Sequence, residues 1–190
     1  MVPDLHDCLS IKEKLLREEN KFMHRKADTL CQKEYPYSFQ ILGKKIGPFR
    51  VGHTYIMENY VAEIFVKDGY LQYTDKSHID SKTIQKINFQ ESTQQELKPI
   101  KDLIYIQARK EMKIAKKHNE SGNLSFRSMR GLISDVNDLI SVRLGKIMRL
   151  ARYSKNIDAK KRLTQEELIL FEKLSKDVKE WQNYLSNPLN

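Results

Sequence analysis

Residues 54–73, TYIMENYVAEIFVKDGYLQY, set the N-terminal part of the chain apart from the rest. This stretch is dense in β-branched and aromatic residues, which favour strands. We interpret 54–57, 60–66 and 70–73 as short strands. Lys67-Asp68-Gly69 supplies the Asp-Gly pair of a tight hairpin turn before the last of them. The stretch therefore predicts part of a small antiparallel sheet.

The residues before this stretch extend the predicted sheet. Residues 37–41 alternate between apolar and polar side chains, and Gly43 and Gly47-Pro48 punctuate the chain after them. We expect about four short strands in a β domain over 35–88, too small to be stable without packing against a helix. Residues 1–34 form a separate segment, in which apolar side chains at helical spacing predict one amphipathic helix over 8–33.

The residues after the sheet have the pattern of long helices. A short helix is predicted over 81–87, and apolar stripes at helical spacing predict further helices over 93–118, 126–152 and 165–185. Thr164 and Glu167 form a capping box at the start of the last one. The predicted fold is α+β: a small antiparallel β domain followed by an all-α domain of long helices over 89–190.

Composition narrows the class of protein. The chain has 190 residues, of which 39% are hydrophobic and 31% charged. No apolar run approaches the roughly 20 residues of a membrane span. The first ten residues hold Asp4 and Asp7 and no basic region, and the two cysteines are too few for a disulfide framework. These features predict a soluble protein of the cytoplasm.

The net charge of +9 is concentrated in one region. Residues 109–162 hold fifteen Lys and Arg against five Asp and Glu. This region can contact phosphates, meet an acidic partner surface, or form a solvated face, and the sequence leaves all three open. No aromatic residues interleave with the charges, which weakens a base-stacking model. The candidate contact residues of this basic face are Arg143, Lys146, Arg149, Arg152, Lys160, Lys161 and Arg162.

No stretch of the sequence carries a catalytic motif. GxxxxGK[ST], GxSxG, HExxH and CxxC are all absent. Asp135 and Asp138 are three residues apart on a predicted helix, and nearby arginines make ion pairing the better interpretation of this pair. We therefore predict no catalytic residue, no cofactor and no metal. Four residues of the N-terminal segment could in principle gather as a zinc site, but their spacing matches no standard pattern; they are His6, Cys8, His24 and Cys31.

Part of the apolar surface of the long helices is available for contact with another chain. Phe171, Trp181 and Leu185 on the last helix are candidates for a subunit interface, with the core of the same chain as the default interpretation.

Two segments resemble a known family. The first is 39–52, FQILGKKIGPFRVG, in which the turn formed by Gly47, Pro48, Phe49 and Gly52 is the most specific part. The second runs from MRGLISD at 129–135 through RLGKI at 143–147 to LTQEE at 163–167. Together they resemble GINS subunits of the class in which the β domain precedes the helical domain, and the spare layout is similar to the archaeal form.

The resemblance implies a non-catalytic scaffold of the DNA-replication helicase. GINS is a heterotetramer, in archaea two copies each of two sister subunits, which bridges the MCM helicase and a RecJ-like protein and can contact primase. Its helical domains make the tetramer core, and the β domain is a smaller docking element. Such a subunit is chromosome-associated, and nuclear in a eukaryote. The alternatives are a free-standing nucleic-acid-binding protein that uses the basic region and an enzyme whose site forms only at an interface.

Overall fold

The computed structural model describes residues 9–74, 79–120, 126–152 and 157–186. The predicted α+β class is confirmed, with a small antiparallel sheet region followed by long helices. No helix in these four ranges is both long and apolar enough to cross a membrane. In chain order the elements are α1 Ile11–Met23, β1 Lys26–Cys31, β2 Phe39–Ile41, β3 Lys44–Ile46, β4 Thr54–Glu58, α2 Asn59–Lys67, β5 Leu71–Tyr73, α3 Ser81–Thr93, α4 Ile104–Glu120, α5 Phe126–Ala151, α6 Ile157–Lys160 and α7 Gln165–Ser186.

Strand β1 is the centre of the main sheet. The sheet has the order β4-β1-β5 and is antiparallel throughout, so that Thr29 of β1 faces Tyr55 on one side and Tyr73 on the other. Strands β2 and β3 form a separate hairpin whose turn residues, Leu42 and Gly43, both have positive φ, as a type I′ turn requires.

The helix predicted over 8–33 is wrong beyond Met23, because the next residues form β1. Their burial alternates along the strand, with Ala27, Thr29 and Cys31 inside, which is the period of two expected for a half-buried strand. The predicted boundary at residue 34 is therefore also wrong: the segment before it supplies the central strand of the β region.

Residues 60–66 are not a strand but most of helix α2. The buried side chains, Val61, Ala62, Phe65 and Val66, follow helical spacing on the face that meets the sheet. Gly69, with φ of +76°, follows the C-cap and ends the helix instead of turning a hairpin. In an apolar run this short and dense, the spacing of the apolar residues does not distinguish a buried helix from a buried strand.

The helical part is built around α5, against which α3, α4 and α7 pack. Ile84 of α3 is fully buried in this core beside Leu139 of α5, so the predicted boundary at residue 88 wrongly divides α3. Helix α4 begins at Ile104, later than predicted, because Gln94 is extended and Pro99 disfavours helical backbone in the residue before it. The segment between α5 and α7, which lies outside the predicted helices, contains the short helix α6.

The capping box at the start of α7 is confirmed. The Glu167 amide donates to Thr164 Oγ1 at 3.3 Å, and the Thr164 amide donates to Glu167 Oε2 at 3.0 Å.

The β region and the helical part share a core, because Ile114 of α4 belongs to the cluster that includes Phe49 and Phe65.

Candidate partner-binding surface

A fully buried ion network lies where α3, α5 and α7 meet. Arg143 of α5 donates from Nη1 to Glu91 Oε1 at 2.7 Å and from Nη2 to Glu167 Oε2 at 2.7 Å. Arg143 also donates from Nε to Glu167 Oε1 at 2.5 Å, and to the carbonyl oxygens of Lys98, at 2.9 Å, and Arg162, at 3.2 Å. Hydrogen-bonding the whole guanidinium is what makes a buried arginine tolerable.

Lys146 completes this network one helical turn further along α5. Its Nζ contacts Glu91 Oε2 at 2.5 Å and donates to the Glu91 carbonyl at 2.8 Å and the Glu96 carbonyl at 3.1 Å. Arg143 and Lys146 were predicted on an exposed basic face, and that prediction is wrong, since both are buried. Their i,i+3 spacing puts both on the side of α5 that faces α3 and α7.

The other predicted basic residues remain at the surface. Arg149, Arg152, Lys160 and Lys161 are exposed. Arg162 is half-buried and pairs with Glu96 at 2.5 Å, and its hydrogen bond and charge lower the pKa of that carboxyl. The exposed basic face is therefore smaller than predicted.

Phe171 does not lie at the surface. It packs inside the chain against Ile147, Ala151 and Leu97, so its prediction as a subunit-interface residue is wrong and its default interpretation as core holds. Trp181 and Leu185, in contrast, are 64% and 62% exposed, as a contact with another chain requires.

Two apolar surfaces are left exposed on the longest helices. Every residue from 179 to 186 at the end of α7 is exposed. On α5 the exposed apolar positions are spaced by seven, four and four residues, which places them on one face. We call them the α5 stripe, Ile133, Ile140, Leu144 and Met148, and the α7 tip, Trp181, Tyr184 and Leu185; their exposed fractions run from 36% to 77%.

A groove of about 280 Å³ lies beside the α5 stripe, between α1, α4, α5 and α7. Ile140 and Leu144 belong to both the stripe and the groove. Glu166 lines the groove although it is only 7% exposed. Its Oε1 accepts from the Ile106 amide at 3.3 Å, and its Oε2 has no hydrogen-bond partner among the described residues.

The turn motif of the β region is structural. Gly47 has φ of +77°, and a Cβ there would lie 2.4 Å from the Tyr37 carbonyl oxygen, so only glycine fits. Gly52 also has positive φ, and Pro48 is exposed. Between them the turn inserts Phe49 into the core, where its ring meets Tyr55 and Phe65 edge-on at centroid distances of 4.9 Å.

The described residues do not assemble a metal site. They contain no group of three or more His, Cys, Asp or Glu side chains placed to hold an ion. His6 and Cys8 lie outside the described ranges. Cys31 is buried in the β core, His24 is exposed beside the Tyr60 ring, and Asp135 accepts hydrogen bonds from Ser81 and Gln85 that tie α5 to α3.

The fold and this surface define an α+β chain with a buried ion network and exposed apolar faces on its two longest helices. No protein-family model matches the chain, and no curated protein matches it significantly.

Proposed function

We propose that the protein is a non-catalytic scaffold subunit, the β-first member of a GINS-type complex, which joins a sister subunit through α5 and α7. The observation that carries the proposal is the exposure of the α5 stripe and the α7 tip. Contiguous exposed apolar side chains at the ends and faces of helices are typical of surfaces that another chain covers.

The size of the apolar surface supports an obligate contact. Burying a large apolar side chain completely stabilises by about 1.5–3 kcal/mol. The stripe and the tip are 36% to 77% exposed, so covering all of them contributes on the order of 5–10 kcal/mol before the cost of association.

The α7 tip adds a second argument. Residues 179–186 extend as helix with no buried side chain. An isolated helix of this length is marginal in water, and packing against a partner would stabilise it. Trp181 and Tyr184 are among the residue types that carry most of the energy at protein interfaces.

The buried ion network fits this role because it holds the presenting helices. Glu91, Arg143 and Glu167 join α3, α5 and α7 through hydrogen bonds of 2.5–2.7 Å. A scaffold needs its contact faces at a fixed angle, and charged hydrogen bonds in a buried site are directional.

The wider role follows from the resemblance. As a GINS-type subunit the protein would assemble two by two with its sister, bridge the MCM helicase and a RecJ-like protein, and contact primase, with the β region as a docking element. It would be associated with the chromosome in the cytoplasm of an archaeon. No catalytic residue or cofactor belongs to this role.

The test is the assembly of variants with a co-expressed sister subunit. Met148→Asp places a charge in the α5 stripe and should abolish the complex. Asp138→Lys, which changes the charge at an exposed position on another side of α5, should leave it intact. Native mass spectrometry reads the stoichiometry, and circular dichroism checks that both variants fold. If Met148→Asp assembles like Asp138→Lys, the stripe is not the interface.

A second candidate function is direct nucleic-acid binding, favoured by the exposure of Arg149, Arg152, Lys160 and Lys161. Positive side chains can contact phosphates without reading sequence. The charge reversals Arg149→Glu and Arg152→Glu separate the two candidates. Under the scaffold proposal the complex survives them. Loss of DNA binding, in a protein that captures no sister subunit, would favour the second candidate.

A further inference from the structure

A second pocket, of about 180 Å³, lies where the β region meets the helical part. Its walls come from α1, β1, α2, α4 and the segments that precede β1 and α4. The volume is several times the roughly 30 Å³ that one water molecule takes up in the liquid, so the pocket can hold a small ion together with water. Its polar and charged lining residues are Arg25, Lys26, Asn59, Lys101, Asp102 and Gln107.

The charged groups of this lining are mostly basic. Among the described lining residues Arg25, Lys26 and Lys101 are positive, and Asp102 is the single acid. Asp102 divides its carboxylate between two partners, since its Oδ1 accepts from the Gln165 amide at 2.9 Å and its Oδ2 lies 3.6 Å from Arg25 Nη2. Three positive charges and one negative charge leave the lining with a net charge of +2, which attracts an anion.

The three lining cations can be reached by a ligand. The side chain of Arg25 is 52% exposed, and Lys26 and Lys101 are also exposed residues. Partial burial nevertheless lowers the pKa of the Lys101 ammonium, which means that its charged form is disfavoured at this place. An anion beside Lys101 would offset that cost, because an opposite charge favours the charged form.

The groups next to the lining add to its positive charge. Asn59 is 4% exposed, and its Oδ1 accepts from Lys110 Nζ at 2.7 Å. Burial lowers the pKa of Lys110 to about 8, so this cation is still mostly protonated at pH 7. Glu58 interacts with Lys26 through its charge, but it is hydrogen-bonded to Lys44, and that bond is the main cause of its lowered pKa. The negative charge of Glu58 is therefore already balanced by a cation outside the pocket.

We propose that this pocket binds a doubly charged phosphate group, whose oxygens contact Arg25, Lys26 and Lys101. Guanidinium and ammonium groups are the usual phosphate ligands of proteins. A phosphate monoester carries a charge of about −1.5 to −2 near neutral pH, which matches the net charge of the lining. A carboxylate supplies one negative charge and matches the lining less well, and a cation is repelled. The pocket shares no side chain with the α5 stripe or the α7 tip, so the inference goes beyond the proposed function.

The chemistry of the pocket is tested on the full chain at pH 7.5 and constant ionic strength, with inorganic phosphate as the probe and acetate as its singly charged counterpart. Binding is followed by NMR through the backbone amides of Lys26, Lys101 and Gln107. We expect phosphate to bind about fivefold more tightly than acetate, as for one further unit charge at a solvated site. Lys101→Gln should weaken phosphate binding by about tenfold, as for the loss of one hydrogen bond to a charged group. Lys86→Gln removes the same charge from an exposed position on α3 outside the lining and should leave the affinity unchanged.

Equal affinity for phosphate and acetate, or phosphate binding that is unchanged in Lys101→Gln, would overturn the inference. The source of the phosphate is tested by competition with a short DNA strand that carries a 5′-phosphate and with the same strand ending in a 5′-hydroxyl. Displacement of inorganic phosphate by the phosphorylated strand alone identifies the end of a strand as the source, and displacement by neither strand identifies a free phosphate ion. Displacement by both strands would assign the pocket to singly charged backbone phosphates and overturn its preference for a doubly charged group.

Discussion

Removal of the Glu91 carboxylate takes away the acid that contacts both cations of the buried network. Glu91 is 1% exposed and neutralises two buried cations, with Oε1 at 2.7 Å from Arg143 Nη1 and Oε2 at 2.5 Å from Lys146 Nζ. It also accepts from the Lys98 amide at 3.0 Å. In Glu91→Ala these donors stay buried while their acceptor is gone.

The expected loss follows from the burial of the pair. Breaking a buried ion pair by deleting one partner costs about 3–5 kcal/mol, because the remaining charge is left uncompensated. Lys146 is left with carbonyl acceptors alone, while Arg143 keeps its pair with Glu167, so we expect a loss within that range. For a chain of this size the melting temperature should fall by roughly 10 °C or more.

Urea unfolding followed by far-UV circular dichroism at pH 7 measures this loss. The matched control is Glu96→Gln, which removes the acid from an ion pair whose acidic side chain is 79% exposed. Exposed pairs contribute little, so its unfolding midpoint should equal that of the wild-type chain. A loss of less than about 1 kcal/mol for Glu91→Ala would refute the reasoning, because it would mean that the cations are solvated or neutralised elsewhere.

Two further predictions concern the β region and its contact with α4. Gly47→Ala should destabilise the chain by about 1–3 kcal/mol, because φ is positive there and the added Cβ would clash with the Tyr37 carbonyl oxygen. Gly131→Ala, where the added Cβ meets open space within α5, should instead stabilise the chain by about 0.5–1 kcal/mol. Thermal unfolding measures both changes. Burial lowers the pKa of Lys110 from 10.5 to about 8, so the unfolded chain binds more protons between these values and stability rises with pH from 8 towards 10. Urea titrations at pH 8 and 9.5 should show this rise in the wild-type chain and a smaller one in Lys110→Met; equal slopes would contradict it.

The features that the sequence predicted correctly are those that neighbouring residues determine. The capping box of Thr164 and Glu167 needs only three residues of separation, and the boundaries of α5 follow from a long apolar stripe. Such signals are local, so a pattern over one helix contains them.

The features that the sequence missed depend on distant partners. Residues 26–31 form a strand because β4 and β5 flank them, and nothing in their composition requires it. Residues 59–67 are helical because one face packs on that sheet, which outweighs their strand propensity.

The burial of Arg143 and Lys146 also depends on distant partners. Arg143 and Lys146 looked like surface residues, but their acceptor Glu91 lies 52 and 55 positions away along the chain. The only signal in the sequence was a pair of cations on the apolar side of an amphipathic helix. Such a pair is compatible with burial only when acids come from elsewhere in the fold.

The central claim, that this chain is one half of a two-component scaffold, is tested most directly by native mass. The chain alone has a mass of 22.4 kDa, and it should be measured with and without a co-expressed sister subunit of GINS type from the same organism. We predict a complex of two copies of each subunit when the sister is present. A chain that remains a monomer in both samples, with no sister subunit bound, would contradict the claim.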